Sequence, residues 1–108
     1  YWIAGGKPKP GGFKRLRPFL GAVRSGYLIG TAARAIAEDL GDLVPLHEVG
    51  TLDAAVRAAS AEARRREDAE AVILLAPACA SFDQFSDFEA RGEAFRALAA
   101  AEARKDAA

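Results

Sequence analysis

Apolar residues recur along this chain in two rhythms. Short branched or aromatic runs occur at Tyr1 to Ala4, Gly26-Tyr27-Leu28-Ile29, within Leu43 to Val49, and at Val72-Ile73-Leu74-Leu75. Their length and composition predict buried strands. Between them the apolar positions fall three and four apart, as on one helix face: Leu16, Phe19, Leu20 and Val23; then Ala33, Ile36, Ala37 and Leu40; then Leu52, Ala55, Val56 and Ala59. The first of these, a short helix within Phe13 to Val23, is blurred by Pro18, which is comfortable only in a first helical turn. The second follows the turn and cap Gly30-Thr31 and stops at Gly41. Thr51 caps the third, and Asp53 favours its positive end. A last helix starts near Asp87, with Glu89 in its first turn. Phe88 and Phe95 share a face there, Arg91 and Gly92 lie between them, and the helix frays after Leu98.

Strands alternating with helices specify an α/β fold. The expectation is a Rossmann-like three-layer domain over residues 1–108, with a mainly parallel sheet of about four strands, helices on both faces and right-handed crossovers. Two crossovers in one direction and a third back past the first strand give the order 3-2-1-4. The order then reverses between strands one and four, and ligands of open α/β sheets sit at the carboxyl ends of strands at such a reversal. Those two ends carry Gly5-Gly6-Lys7-Pro8-Lys9-Pro10-Gly11-Gly12 and Pro77-Ala78-Cys79-Ala80-Ser81-Phe82-Asp83-Gln84-Phe85. The two loops are therefore expected to face each other across one crevice.

Both loops have anion-binding chemistry. Gly6 and Gly11 have the outer spacing of a P-loop, but the following residue is Gly12 rather than lysine, so that motif is rejected. Two lysines on a stiff, glycine-flanked loop suit a carboxylate or phosphate, and a solvated basic turn is the plainer alternative. In the other loop Ser81 and Gln84 have capping-box spacing. A helix starting there would aim free N–H groups at whatever lies in front. Lysine charge, the Ser81 hydroxyl, the Ser81 and Phe82 amides, and an apolar wall from Phe82 or Phe88 describe a site for a small anion, most simply a carboxylate. Arg91 falls at the inward edge of its helix, where an acid or a backbone carbonyl must satisfy it, and it reads first as a packed structural arginine.

Composition narrows the classes. Lysine plus arginine and aspartate plus glutamate each total 15, so no basic field points to nucleic acid or an anionic membrane. The single cysteine, Cys79, excludes an internal disulfide, fits a reducing compartment, and reads as a packing residue because no histidine follows nearby to activate it. One histidine, His47, and one cysteine make a metal site improbable. No apolar segment approaches the roughly 20 residues of a membrane span, and the first residues lack the basic flank of a signal peptide. The expectation is a cytoplasmic monomer. A chain that opens directly on a strand also reads as cut from something longer. Mixed charges at Arg64-Arg65-Arg66-Glu67-Asp68 read as a solvated helix end.

The segment Leu74 to Phe95, LLAPACASFDQFSDFEARGEAF, together with Trp2 to Phe13, WIAGGKPKPGGF, resembles the two ends of the last domain of the D-glutamate-adding Mur ligases of peptidoglycan synthesis. The resemblance covers nearly the whole chain, in order. It implies that Lys9 and Ser81 hold the two carboxylates of D-glutamate, with Phe82 and Phe88 completing the pocket and Lys7 a second candidate for the Lys9 contact. It implies no catalytic residue and no metal ligand in this domain. ATP and Mg2+ would be bound by a central domain, and UDP-N-acetylmuramoyl-L-alanine through that domain and an N-terminal one, so the chain alone would lack ligase activity. Departures from the family's pattern stand at Ala76, Asp87, Pro10 and Gly12, and Asp87 adds negative charge beside a site meant for a dianion. A different class remains open: a non-catalytic α/β module that binds a phosphate or nucleotide through the Gly5–Gly12 loop.

Overall fold

The computed structural model describes residues 1–67, 70–79 and 84–107. Strands β1 (Trp2–Gly5), β2 (Gly26–Ile29), β3 (Leu46–Gly50) and β4 (Leu74–Leu75) form one sheet. All pairings are parallel and the order is β3-β2-β1-β4, as the alternation of strands and helices predicts. Helices α1 (Ala33–Leu40), α2 (Leu52–Arg65) and α3 (Phe88–Ala107) and a 3-10 helix, Lys14–Phe19, complete the layers.

Strand alternation divides the core in two, because successive side chains point to opposite faces. Trp2, Ala4 and Leu28 join Phe13, Leu20, Ile36, Leu40 and Cys79 on one face, under α1 and the 3-10 helix. Ile3, Tyr27 and Ile29 meet Leu52, Val56 and Ala59 of α2 on the other, where Phe95 and Leu98 of α3 also pack. Thr51 caps α2 as expected, accepting from the Ala54 N–H at 3.2 Å. Thr31 does not cap α1, which begins after Ala32; its hydroxyl donates instead to the Gly6 carbonyl at 3.2 Å.

Three expectations change. The Phe13 to Val23 helix is only a 3-10 helix with Pro18 inside it, since proline supplies no N–H for a continued α-helix. Strand three, expected within Leu43 to Val49, begins inside that stretch at Leu46 and runs one residue past it, to Gly50. Strand four is shorter and less buried than its composition suggests, with Val72 69% and Leu74 54% exposed. It lies at the sheet edge, so only Ile73 and Leu75, which point toward α2 and α3, reach the core.

The arginine run at the end of α2 is more engaged than a solvated face. Arg64 pairs with the Glu102 carboxylate at 3.1 Å and donates to its carbonyl at 2.9 Å, fastening α2 to α3. Arg66 pairs at 2.7 Å with Glu62, which is 4% exposed. Glu62 also accepts from the Ser25 hydroxyl at 3.0 Å and from the Tyr27 hydroxyl. Tyr27 in turn stacks on His47, with ring centroids 5.1 Å apart. Burial acts to raise the Glu62 pKa, but the bonds from Tyr27, Arg66 and Ser25 outweigh it and hold the carboxyl below its ordinary value of 4.5.

A folded-state pKa below the unfolded one means that the unfolded chain binds the extra proton. The stabilisation is therefore complete above about pH 4.5 and lost as pH falls through the lower folded value. Glu62→Gln lowers stability at pH 7 by about 2 kcal/mol and flattens the acid limb of the stability profile in urea titrations at successive pH values. An unchanged acid limb would remove Glu62 from that account. Gly5 has φ +131°, and a Cβ there would stand 2.0 Å from the Ile29 carbonyl oxygen. Gly5→Ala is expected to cost about 3 kcal/mol or more, read as a lowered midpoint in thermal unfolding.

Candidate site at the strand carboxyl ends

At the end of β1 the chain makes a left-handed exit that only glycine enters without strain: Gly5 and Gly6 have φ values of +131° and +129°. Their backbone groups join the neighbouring strand ends. Gly5 donates to the Pro77 carbonyl at 2.9 Å, and Gly6 donates to Ile29 at 3.1 Å. The Gly6 carbonyl accepts from Ala32 at 2.9 Å as well as from Thr31. The loops after β1 and β4 are thus side by side at their stems, as the strand order requires.

Each loop is also fixed beyond its stem. The lysine loop is closed at its far end by the buried Phe13, whose N–H donates to the Asp39 carboxylate at 2.9 Å, and Arg17 bonds the Asp39 carbonyl at 2.8 Å. After β4, the Trp2 indole N–H holds the Ala76 carbonyl at 2.8 Å, and Cys79 is buried, the packing role its small neighbours predict. Gln84 donates through Nε2 to the Gly50 carbonyl at 2.6 Å, at the end of β3. Arg91 donates through Nη1 to the Cys79 carbonyl at 3.1 Å. A backbone carbonyl therefore satisfies that arginine, one of the two partners expected for it.

The candidate residues fall as follows. Lys7 and Lys9 are exposed on the first loop, and among the described residues neither side chain makes a hydrogen bond or ion pair. Phe88 opens α3 and is 68% exposed. Phe95, seven residues on, packs in the core while Phe88 does not, because the first turn of α3 stands level with Cys79, past the last residue of β4. Ser81 and Phe82 lie outside the described residues, and so does the cap half of the proposed capping box. Residues 84–87 are turn and bend, and the helix starts at Phe88. Asp87 caps it, its Oδ1 accepting from the Ala90 N–H at 2.7 Å. That carboxylate is engaged by a helix N-terminus, which offsets the repulsion its sequence position suggests.

Among the described residues, hollows lie elsewhere. One of about 660 Å³ is lined by Val56, Ala63, Ile73, Phe95 and Ala99 between α2, α3 and β4. Another, of about 510 Å³, includes Ser25, Tyr27, His47 and Glu62. The lining of the first is chiefly apolar; in the second, the Glu62 carboxylate held by Ser25, Tyr27 and Arg66 lines the hollow together with Arg65 and His47. Among the described residues no group of three or more His, Cys, Asp or Glu could hold a metal ion, and no helix is long and apolar enough to cross a membrane.

The fold is a parallel α/β domain in which the lysine loop and the exit of β4 meet at the topological switch point. The comparisons with known proteins go further. Over 94% of its length the chain is 54% identical to the UDP-N-acetylmuramoylalanine--D-glutamate ligase of Mesorhizobium japonicum. It is 56% identical over 90% of its length to that of Phenylobacterium zucineum, and 54% over 93% to that of Rhodospirillum rubrum. The chain spans only about a fifth of the length of these relatives, 20 to 22%. No family model matches it. With more than half its residues identical over nine tenths of its length, the chain shares descent with these D-glutamate ligases and corresponds to one part of them.

Asp39→Ala should free the far end of the lysine loop. The expected result is faster hydrogen exchange at the Phe13 amide and a stability loss of about 1 kcal/mol. Exchange at the parent rate would show that Asp39 does not hold the loop.

Proposed function

We propose that this chain is the C-terminal, acceptor-binding domain of an ATP-dependent ligase that joins D-glutamate to UDP-N-acetylmuramoyl-L-alanine. The observation that carries the reading is the Gly5 to Pro77 hydrogen bond, which puts the lysine loop beside the segment leading to Ser81. The 54% identity to a D-glutamate ligase over 94% of the chain supports it. Lys9 and Ser81 hold the two carboxylates of D-glutamate, Phe82 and Phe88 wall the pocket, and Lys7 stands in reserve beside Lys9.

The domain contributes position rather than proton transfer. In the full reaction the muramoyl-alanine carboxylate takes the terminal phosphoryl group of ATP. The D-glutamate amine then attacks the acyl carbon, the amide C–N bond forms as the single acyl C–O bond to phosphate breaks, phosphate leaves with that oxygen, and the nitrogen gives up a proton to solvent. Holding the amine in line converts a bimolecular encounter into a directed one. ATP, Mg2+ and the UDP-linked substrate are assigned to the four fifths of the relatives that lie outside this chain, with closure of the domains bringing the amine to the acyl group.

Calorimetric titration of the chain with D-glutamate tests this. Saturable binding, weaker for L-glutamate, is expected. Lys9→Ala should weaken it tenfold or more, the worth of about 1.5 kcal/mol for a charge-assisted bond, and Lys7→Ala should weaken it less. Supplied with ATP, Mg2+ and both substrates, the chain should form no amide. Amide formation, or binding of a nucleotide with no response to D-glutamate, would contradict the proposal.

A further inference from the structure

We infer that Arg91 is a positioning residue for the bound amino acid, setting the first turn of α3, and with it Phe88, against the lysine loop. The inference rests on the D-glutamate reading of the same rim.

A continuous run of bonds makes the connection. The stem of the lysine loop is joined to the exit of β4 by the Gly5 to Pro77 bond at 2.9 Å. Two residues on, the Cys79 carbonyl accepts from Arg91 Nη1 at 3.1 Å. Arg91 belongs to the first turn of α3, where its N–H also bonds the Asp87 carbonyl at 3.3 Å and Asp87 closes the cap on Ala90. Phe88 sits on that turn, exposed, with no core beneath it to set its place. Its position relative to Lys9 is therefore governed by the turn as a whole, and the turn is held to the strand ends by Arg91.

A second feature separates Arg91 from an ordinary packed arginine. Its side chain is half-buried, yet among the described residues no carboxylate pairs with it. Arg64 and Arg66, by contrast, are each matched to a buried glutamate at the end of α2. An arginine spending one donor on a neutral carbonyl leaves its charge to add to that of Lys7 and Lys9 at the same rim. A dianionic ligand gains from that field, and a packing role alone does not require it.

The test compares Arg91→Lys, which keeps the charge with a shorter reach, and Arg91→Met, which keeps much of the volume and removes both charge and donor. For each, D- and L-glutamate dissociation constants are measured well below the variant's melting midpoint. D-glutamate affinity should fall about threefold in Arg91→Lys and at least tenfold in Arg91→Met, with the preference for the D isomer shrinking in the same order. A purely structural arginine would lower the midpoint and leave the isomer preference of the folded chain unchanged, and that result overturns the inference. The lysine variant alone suffices if the methionine variant does not fold, since parent-like affinity and isomer preference in it would also overturn the inference. If the unaltered chain binds neither isomer, the D-glutamate reading falls and this inference with it.

Discussion

The structure depends on how closely β1 and β2 come together at their carboxyl ends. Gly5 sits against the Ile29 carbonyl with no room for a Cβ, and Gly6 then turns so that its N–H reaches the same carbonyl. From that contact the rest of the rim follows. The Gly6 carbonyl accepts from the start of α1, the Gly5 N–H donates to the exit of β4, and Gly30 and Gln84 both donate to the carbonyl that ends β3. Four strand ends and two loops are thereby tied by backbone and short side-chain bonds, leaving the two lysines of the first loop unengaged among the described residues.

This division of labour suits a binding rim. Rigid groups are consumed internally, so the ligand need not displace them. The free groups are exposed cations on a loop pinned at both ends, at Gly6 and at Phe13. Pre-organisation of that kind lowers the ordering cost that a ligand must overcome on binding. The opposite end of the sheet is built differently: its carboxylate, Glu62, is buried and saturated, which adds stability and offers a ligand little.

Much of this was legible in sequence because it rests on local signals. The strand order followed from the alternation of short apolar runs with helical stripes, and Thr51 and Asp87 were readable as caps from their type and place. What was not legible depends on position in the sheet. The Val72 to Leu75 run reads as fully buried, but an edge strand has an uncovered face, and no local pattern distinguishes it from a central one. Phe88 and Phe95 share a helical face on paper, yet the sheet ends beneath only one of them. Thr31 has the type of a cap and instead serves the Gly6 carbonyl, a contact made by strands far apart in sequence. Arg64 and Arg66 looked solvated because their partners, Glu102 and Glu62, are buried on helices whose packing the charge run does not reveal. The lysines and Phe88 of the candidate site were identifiable from loop chemistry and family resemblance; the supporting bonds from Arg91, Gln84 and Asp39 were not, since each joins segments more than ten residues apart.

The most direct measurement is an amide NMR map of the chain titrated with D-glutamate. The account predicts shifts concentrated in the non-proline residues of Lys7 to Gly12, in Ala78 and Cys79, and in the first turn of α3, all on one rim. Shifts centred instead on Val56, Phe95 and Ala99, or on Tyr27 and Glu62, would place the ligand in one of the other hollows and contradict it.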